Sequence, residues 1–157
     1  MPRHHETRTL PYTAQQMYDL VADVQSYPAF LPWTAAARIR SREDVGDTEV
    51  LLADLVISFK VFRETFGSRV ILHPAEKRIE TSYIDGPFRH MESVWAFRDM
   101  PAADGAPGCE VDFTVDFEFR SRLLQGAATM FFNDAMTRVV RAFERRAADL
   151  YGPRRTA

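Results

Sequence analysis

The sequence predicts an α+β fold, a curved antiparallel sheet of about seven strands wrapped around one long C-terminal helix. Three observations lead there. The first is the stretch Arg122 to Tyr151, where Leu124, Ala128, Phe131, Phe132, Met136, Val139, Val140, Phe143 and Ala147 recur at steps of three and four. That is the spacing of one apolar helix face. At ~1.5 Å per residue the helix would run about 45 Å. Its stripe is too wide and too aromatic to be left in water. The second is that nearly everything before it alternates with period two. The third is that the links between those runs have hairpin length, which antiparallel strands need and parallel ones cannot use.

The elements follow in order. His4 to Leu10 alternates weakly and reads as a first strand. After Pro11, Thr13 and Gln16 form a capping box, with Tyr12 and Met17 placed as a hydrophobic staple. A short helix therefore starts at Ala14 and ends near Asp23. A second short helical turn is expected in Gln25 to Thr34, where Pro28 and Pro32 forbid a long helix or a ladder strand. Its run Tyr27, Phe30, Leu31, Trp33 makes an apolar tip. Strands are then expected over Ala37–Arg42, Glu49–Ser58, Thr65–His73, Arg78–Ile84, Arg89–Arg98 and Glu110–Arg120. Asp54 reads as an outward position of the second of these. Phe59-Lys60-Val61-Phe62 must contain a turn although it lacks glycine and proline, so it reads as a second apolar tip, beside the first. Asp85-Gly86-Pro87 is a strong turn signal. In the last strand Val111, Phe113, Val115, Phe117 and Phe119 point inward, while Asp112, Asp116 and Glu118 point out toward arginines of neighbouring strands. Ser121 serves as N-cap of the long helix, and Gly152-Pro153 stops it.

The 157 residues suit one domain spanning 1–157. A 46% apolar and 27% charged composition is that of an ordinary soluble protein. A net charge of -2 and a pI near 6.1 argue against a nucleic-acid protein. The arginines of the last helix, Arg138, Arg141 and Arg145, still form a local basic patch. Cys109 is alone, so no disulfide framework exists. The polar start Met1 to Thr9 predicts no signal or transit peptide, and no run reaches the ~20 apolar residues of a membrane span. The expected compartment is the bacterial cytoplasm.

Catalytic signatures are missing. His4, His5, His73 and His90 form no HxxxH, and no CxxC pair, nucleophile elbow or phosphate loop occurs. The expectation is no catalytic residue, no metal and no required cofactor.

Several strings resemble the START-like helix-grip superfamily, and within it the coenzyme Q-binding proteins and their bacterial relatives, which include a ribosome-association toxin. They are Tyr27-Pro28-Ala29-Phe30-Leu31-Pro32-Trp33, Glu64-Thr65-Phe66-Gly67-Ser68-Arg69-Val70, Asp85-Gly86-Pro87-Phe88, Trp95-Ala96-Phe97, Asp116-Phe117-Glu118-Phe119-Arg120-Ser121, and the helix end through Leu150-Tyr151-Gly152. Thr34 departs from the pattern, which would place a cysteine after the tryptophan. The resemblance implies an apolar cavity between sheet and helix that binds ubiquinone. Its walls would be Phe88, Trp95, Phe117, Phe119, Phe131, Phe132 and Met136, with Ala128 leaving space beside the helix. Tyr83, Ser93 and Trp95 would supply hydrogen-bond donors, and Phe30, Trp33, Phe59 and Phe62 would form a portal in transient contact with the inner membrane. Ribosome binding through Arg138, Arg141 and Arg145 is the alternative expectation. A polyketide cyclase or dehydratase activity, drawing an acid or base from Asp54, Asp85 or His90, is the third.

Overall fold

The computed structural model describes residues 3–59, 62–86, 88–101 and 105–152, with backbone alone for 59, 62, 124 and 127–133. The chain runs β1 (Arg3–Leu10), α1 (Ala14–Ala22), a 3-10 stretch (Val24–Ala29), β2 (Thr34–Val45), β3 (Thr48–Phe59), β4 (Phe62–His73), β5 (Arg78–Asp85), β6 (Phe88–Asp99), β7 (Cys109–Phe119) and α2 (Arg122–Tyr151). The strands form one seven-stranded sheet in the order β1-β7-β6-β5-β4-β3-β2, all neighbours antiparallel. From β2 to β7 it is a simple meander, and β1 closes it by pairing with β7.

The local signals act as chemistry demands. The Thr13 hydroxyl accepts from the Gln16 N–H at 3.1 Å, and the Gln16 side chain accepts from the Thr13 N–H at 2.9 Å, which starts α1. Gly152, at φ +85°, ends α2 by donating its N–H to the Ala148 carbonyl at 3.0 Å. Glycine alone takes that conformation without strain. β2 is longer than the expected Ala37–Arg42. Register shifts at Thr34/Ala36 and Ile39/Ser41 let this edge strand bend and continue. β4 begins three residues earlier than expected, with Phe59 paired to Phe62; positions 60 and 61 lie outside the described residues.

The core fills the space between the sheet's concave face, α1 and the C-terminal half of α2. Met17, Val21, Leu51, Cys109, Ala14 and Ala147 are sealed from solvent. Phe143 of α2 meets Trp95 of β6 edge-on at 5.2 Å, and Tyr18 of α1 meets Phe97 at 6.2 Å. Two tyrosines tie the ends of the helices together. Tyr12 donates to the Gly152 carbonyl and Tyr151 to the Gln16 carbonyl, both at 3.0 Å. Burial pushes the Cys109 thiol up to about 12, so this cysteine behaves as a small core hydrophobe.

Candidate functional site

Antiparallel alternation sorts the connections to two ends of the molecule. The β2–β3, β4–β5 and β6–β7 links and the last turn of α2 lie at one end. The β3–β4 and β5–β6 links, the entry to β2 and the start of α2 lie at the other. Both apolar tips therefore fall on this second, open end. The Ser58 N–H donates to the Trp33 carbonyl at 2.8 Å, which sets the first tip beside the β3–β4 hairpin. Trp33 stands at φ +62°, a conformation a bulky residue rarely accepts and one that clusters at binding sites.

Just inside the open end lies a box of aromatic rings drawn from four strands. Phe88 (β6) stacks on Phe119 (β7) at 4.6 Å and packs against Phe66 (β4) at 4.8 Å, Tyr83 (β5) at 5.4 Å and Phe117 (β7) at 5.9 Å. Period-two alternation aims Phe66, Tyr83, Phe117 and Phe119 to one face, and the register shift between Phe88 and His90 turns Phe88 to the same side. The Tyr83 hydroxyl is buried and meets no hydrogen-bond partner among the described residues. An unsatisfied buried hydroxyl costs about 1–3 kcal/mol, so a site that keeps one is poised for an acceptor.

Deeper in, below the 3-10 stretch, a cavity of about 50 Å³ is lined by Val24, Tyr27, Leu55, Ser68, Thr81 and Trp95, among others. One water needs roughly 10–15 Å³, whereas small-molecule pockets hold about 300–1,000 Å³. This cavity has room for water on the Ser68 and Thr81 hydroxyls, not for a ring with a tail. Trp95, expected as a wall of the ligand cavity, lines it while stacked on Phe113 at 4.1 Å. Tyr27 donates to the Val21 carbonyl, and burial raises its pKa well above the tyrosine range.

The structure thus divides the expected binding residues. Tyr83, Phe88, Phe117 and Phe119 meet in the box, and Trp33 stands at the open end. Phe30 does not stand at the mouth. It is a plug, edge-on to Tyr27 and Phe143 at 6.1 and 5.3 Å, with the Arg146 guanidinium over its ring at 5.1 Å. Met136 is half-buried against the core. The side chains of Phe59, Phe62, Ala128, Phe131 and Phe132 lie outside the described residues.

Two further groups escaped the sequence. Phe66 belongs to the box, and its alternation with Ser68, Val70 and Leu72 is the signal that would have placed it. The inward row of β1 is polar: His4 meets Glu6 at 3.0 Å, Arg8 meets Glu6 at 3.1 Å, and Arg8 reaches across to Glu144 of α2. Helical spacing put Glu144 on the wet face, but it turns to this seam. Burial raises its carboxyl above the ordinary glutamate range, and the neighbouring Arg8 pulls the other way.

The three residues expected as acid or base candidates, Asp54, Asp85 and His90, lie on the outer face of the sheet. Arg40 binds Asp54 at 2.6 Å and Asp85 at 3.4 Å, crossing the outer face over Gly67, where a Cβ would collide with both the Asp85 carboxylate and the guanidinium. In the acidic row of β7, Glu110 pairs with Arg98 at 2.9 Å and Glu118 with Arg89 at 4.0 Å, while Asp112 meets His5 and the Thr7 hydroxyl, and Asp116 lies 3.9 Å from His90. Among the described residues no group of His, Cys, Asp or Glu is arranged to hold a metal, and no helix is long and apolar enough to cross a membrane.

Comparison with known proteins agrees with this architecture. Residues 10–144 match the profile of a family described as polyketide cyclase / dehydrase and lipid transport. The mitochondrial coenzyme Q-binding protein COQ10 homolog B of Xenopus laevis is 35% identical over 95% of this chain, which spans 59% of that protein's length. The ribosome association toxin RatA of Rickettsia prowazekii (strain Madrid E) is 36% identical, over 92% of this chain and 94% of the toxin. Among solved structures, the 18 kDa protein CC1736 from Caulobacter crescentus superposes with a TM-score of 0.78 at 33% identity, covering 98% of this chain and all of that one.

Proposed function

The chain belongs to the polyketide cyclase / dehydrase and lipid transport family, and from that premise we propose that it is a non-catalytic carrier of a prenylated quinone of the ubiquinone class, held between sheet and helix and exchanged with a respiratory membrane at the open end. The observation that carries this is the unpaired Tyr83 hydroxyl beside the Phe66–Phe88–Phe117–Phe119 box. A quinone ring fits flat aromatic walls, and its carbonyl oxygen would accept a hydrogen bond from the Tyr83 hydroxyl, which has no partner among the described residues. The isoprenoid tail needs only apolar lining, which the inward rows provide. The cavity of about 50 Å³ is too small for the ring, so this reading assigns the ring to the aromatic box. The likeness to a coenzyme Q-binding protein supports the choice of ligand.

The test is organic extraction of protein purified without detergent from a respiring host, with quinone read by absorbance and mass. Retention at a substantial fraction of one per chain is expected. Tyr83→Phe should lower retention about tenfold, the value of one hydrogen bond to a buried group, while leaving the empty protein at least as stable. A clean extract, with no uptake of added quinone, would end this reading.

Ribosome association is the second reading. Arg138, Arg141 and Arg145 are exposed along α2, and relatives bear the name ribosome association toxin. Cosedimentation with ribosomal subunits that falls steeply with salt and is lost in Arg141→Glu/Arg145→Glu would support it. A cyclase reading keeps little. Asp54, Asp85 and His90 lie on the outer face, and the inward acids Glu6 and Glu144 are engaged by Arg8.

A further inference from the structure

A band of hydroxyls crosses the concave face one step in from the aromatic box. From the open end inward, the concave row of β4 runs Phe66, Ser68, Val70, and that of β5 runs Tyr83, Thr81, Ile79. Ser68 stands directly opposite Tyr83, and Thr81 directly opposite Ser93 of β6. Ser93 shares its phase with the buried Trp95 and Phe97. Four hydroxyls therefore lie side by side on three neighbouring strands. Apolar side chains bound the band on both sides, Phe66 and Phe88 toward the open end, Val70, Ile79 and Trp95 toward the other. Ser68, at 3% exposure, is the one hydrophilic residue among the buried described residues. The cavity of about 50 Å³ touches Ser68 and Thr81, and the Tyr83 hydroxyl has no partner among the described residues. Neither a packed core nor an isoprenoid tail offers hydroxyls a partner, and a buried polar group is costly until it is hydrogen-bonded. Among the described residues no charged side chain stands in the band: Glu6, Arg8 and Glu144 lie beyond β7, on β1 and α2, and engage one another.

We infer that Ser68, Thr81, Tyr83 and Ser93 form a head-group subsite that hydrogen-bonds the oxygens of the ligand ring and holds the oxidised quinone and the reduced quinol alike. This rests on the quinone-carrier reading and deepens it. A ring in the box with one oxygen at Tyr83 directs its further oxygens along this band. Neighbouring strands stand about 4.8 Å apart, close to the separation of the two oxygens across a quinone ring. Oxygens that fall short are reached through water in the small cavity. A hydroxyl has one proton to give and lone pairs with which to accept. It donates to a quinone carbonyl and, after rotation about its C–O bond, accepts from a quinol O–H. A guanidinium only donates and a carboxylate only accepts, so either would favour one form. A carrier built with hydroxyls exchanges with both forms of a quinone pool.

The test is equilibrium dialysis of the full chain against a decyl-substituted ubiquinone analogue, either oxidised or kept reduced by dithionite without oxygen, with bound ligand read by mass. The two forms should bind within about threefold of each other, less than the value of one hydrogen bond. Ser68→Ala, and Thr81→Val, which keeps the side-chain shape, should each weaken both forms about tenfold. Ser93→Ala should weaken them less, because Ser93 is only half-buried. Urea midpoints of the empty variants should be no lower than that of the parent. Decylbenzene, which has no ring oxygen, should bind parent and variants equally. A preference of about tenfold or more for either redox form overturns the proposal. So does binding of both forms that none of the three substitutions changes, or an equal loss of decylbenzene binding, which would mean that shape and not hydrogen bonding had been lost. Each of these results leaves the carrier reading standing. If neither form binds the unsubstituted protein, the carrier reading falls and the subsite with it.

Discussion

The end of the molecule that holds the C-terminus of α2 and the end that holds its start are built on opposite principles. At the first, polar groups find partners: the Thr13–Gln16 box, Tyr12 on Gly152, Tyr151 on Gln16, and the Ala14 N–H on Asp99 at 2.9 Å. Ala147 and Cys109 are sealed completely there, although Val45 and Leu150 stand about half exposed at the rim. At the second, a tryptophan sits in left-handed backbone and a buried tyrosine hydroxyl has no partner among the described residues. None of this helps folding. The stability that satisfied bonds and full burial bring at one end allows unsatisfied, strained groups at the other, which is where binding chemistry is expected.

This contrast can be broken or sharpened. The largest effect is expected from Phe143→Ala, which removes the ring that packs on Trp95, Tyr27 and Phe30; a loss of about 3–5 kcal/mol should appear in urea unfolding, and a loss below about 1 kcal/mol would mean the clamp lies elsewhere. Gly67→Ala forces a methyl into the Arg40–Asp85 bridge that frames the open end. Both groups are the ends of flexible, partly exposed side chains that can swing aside, so it should cost no more than about 1 kcal/mol in the same assay, and Asp85→Ala in the Gly67→Ala background should recover it. The seam gives a pH signature. Glu144 binds its proton more readily folded than unfolded, because burial raises its carboxyl. Its contribution is therefore fully present below the ordinary glutamate range and is lost as pH rises through the raised value. Urea midpoints should fall across that window in the native protein and less so in Glu144→Gln. The smallest effect belongs to Trp33→Gly. Relief of left-handed strain and the greater freedom of glycine in the unfolded chain nearly cancel, so stability should stay within about 1 kcal/mol, while quinone retention falls.

Much of the frame was legible in the residues. Period two in Val111 to Phe119 and steps of three and four in Arg122 to Tyr151 fixed β7 and α2, and the capping box placed the start of α1. Such signals are local, carried by neighbours in the chain. The candidate site was legible only in part. Phe117 and Phe119 were expected from their inward phase, Tyr83 as a donor near the wall and Phe88 from the family resemblance, yet none of this says which rings meet. Phe30 illustrates the failure: an apolar residue between two prolines suits a portal or a plug equally well, and only the approach of Phe143, more than a hundred residues away, decides. Glu144 was misplaced for the same reason. Its wheel position is polar, and what draws it to the seam is Arg8 on the opposite flank of the sheet.

The pairing of the first strand with the last has a consequence in time. β2 to β7 form by successive hairpins, each between neighbours in sequence. β1 cannot join until β7 exists, since Arg3 pairs with Asp116 and Leu10 with Cys109. Closing so long a loop is slow compared with zipping a hairpin. Until it happens, the free edge of β7 presents unpaired N–H and carbonyl groups and a row of phenylalanines, a template on which a second chain could add a strand. The order of synthesis thus leaves the most aromatic strand of the protein waiting for the segment made first. The folding chain is most vulnerable to aggregation in the interval between completing the meander and docking β1.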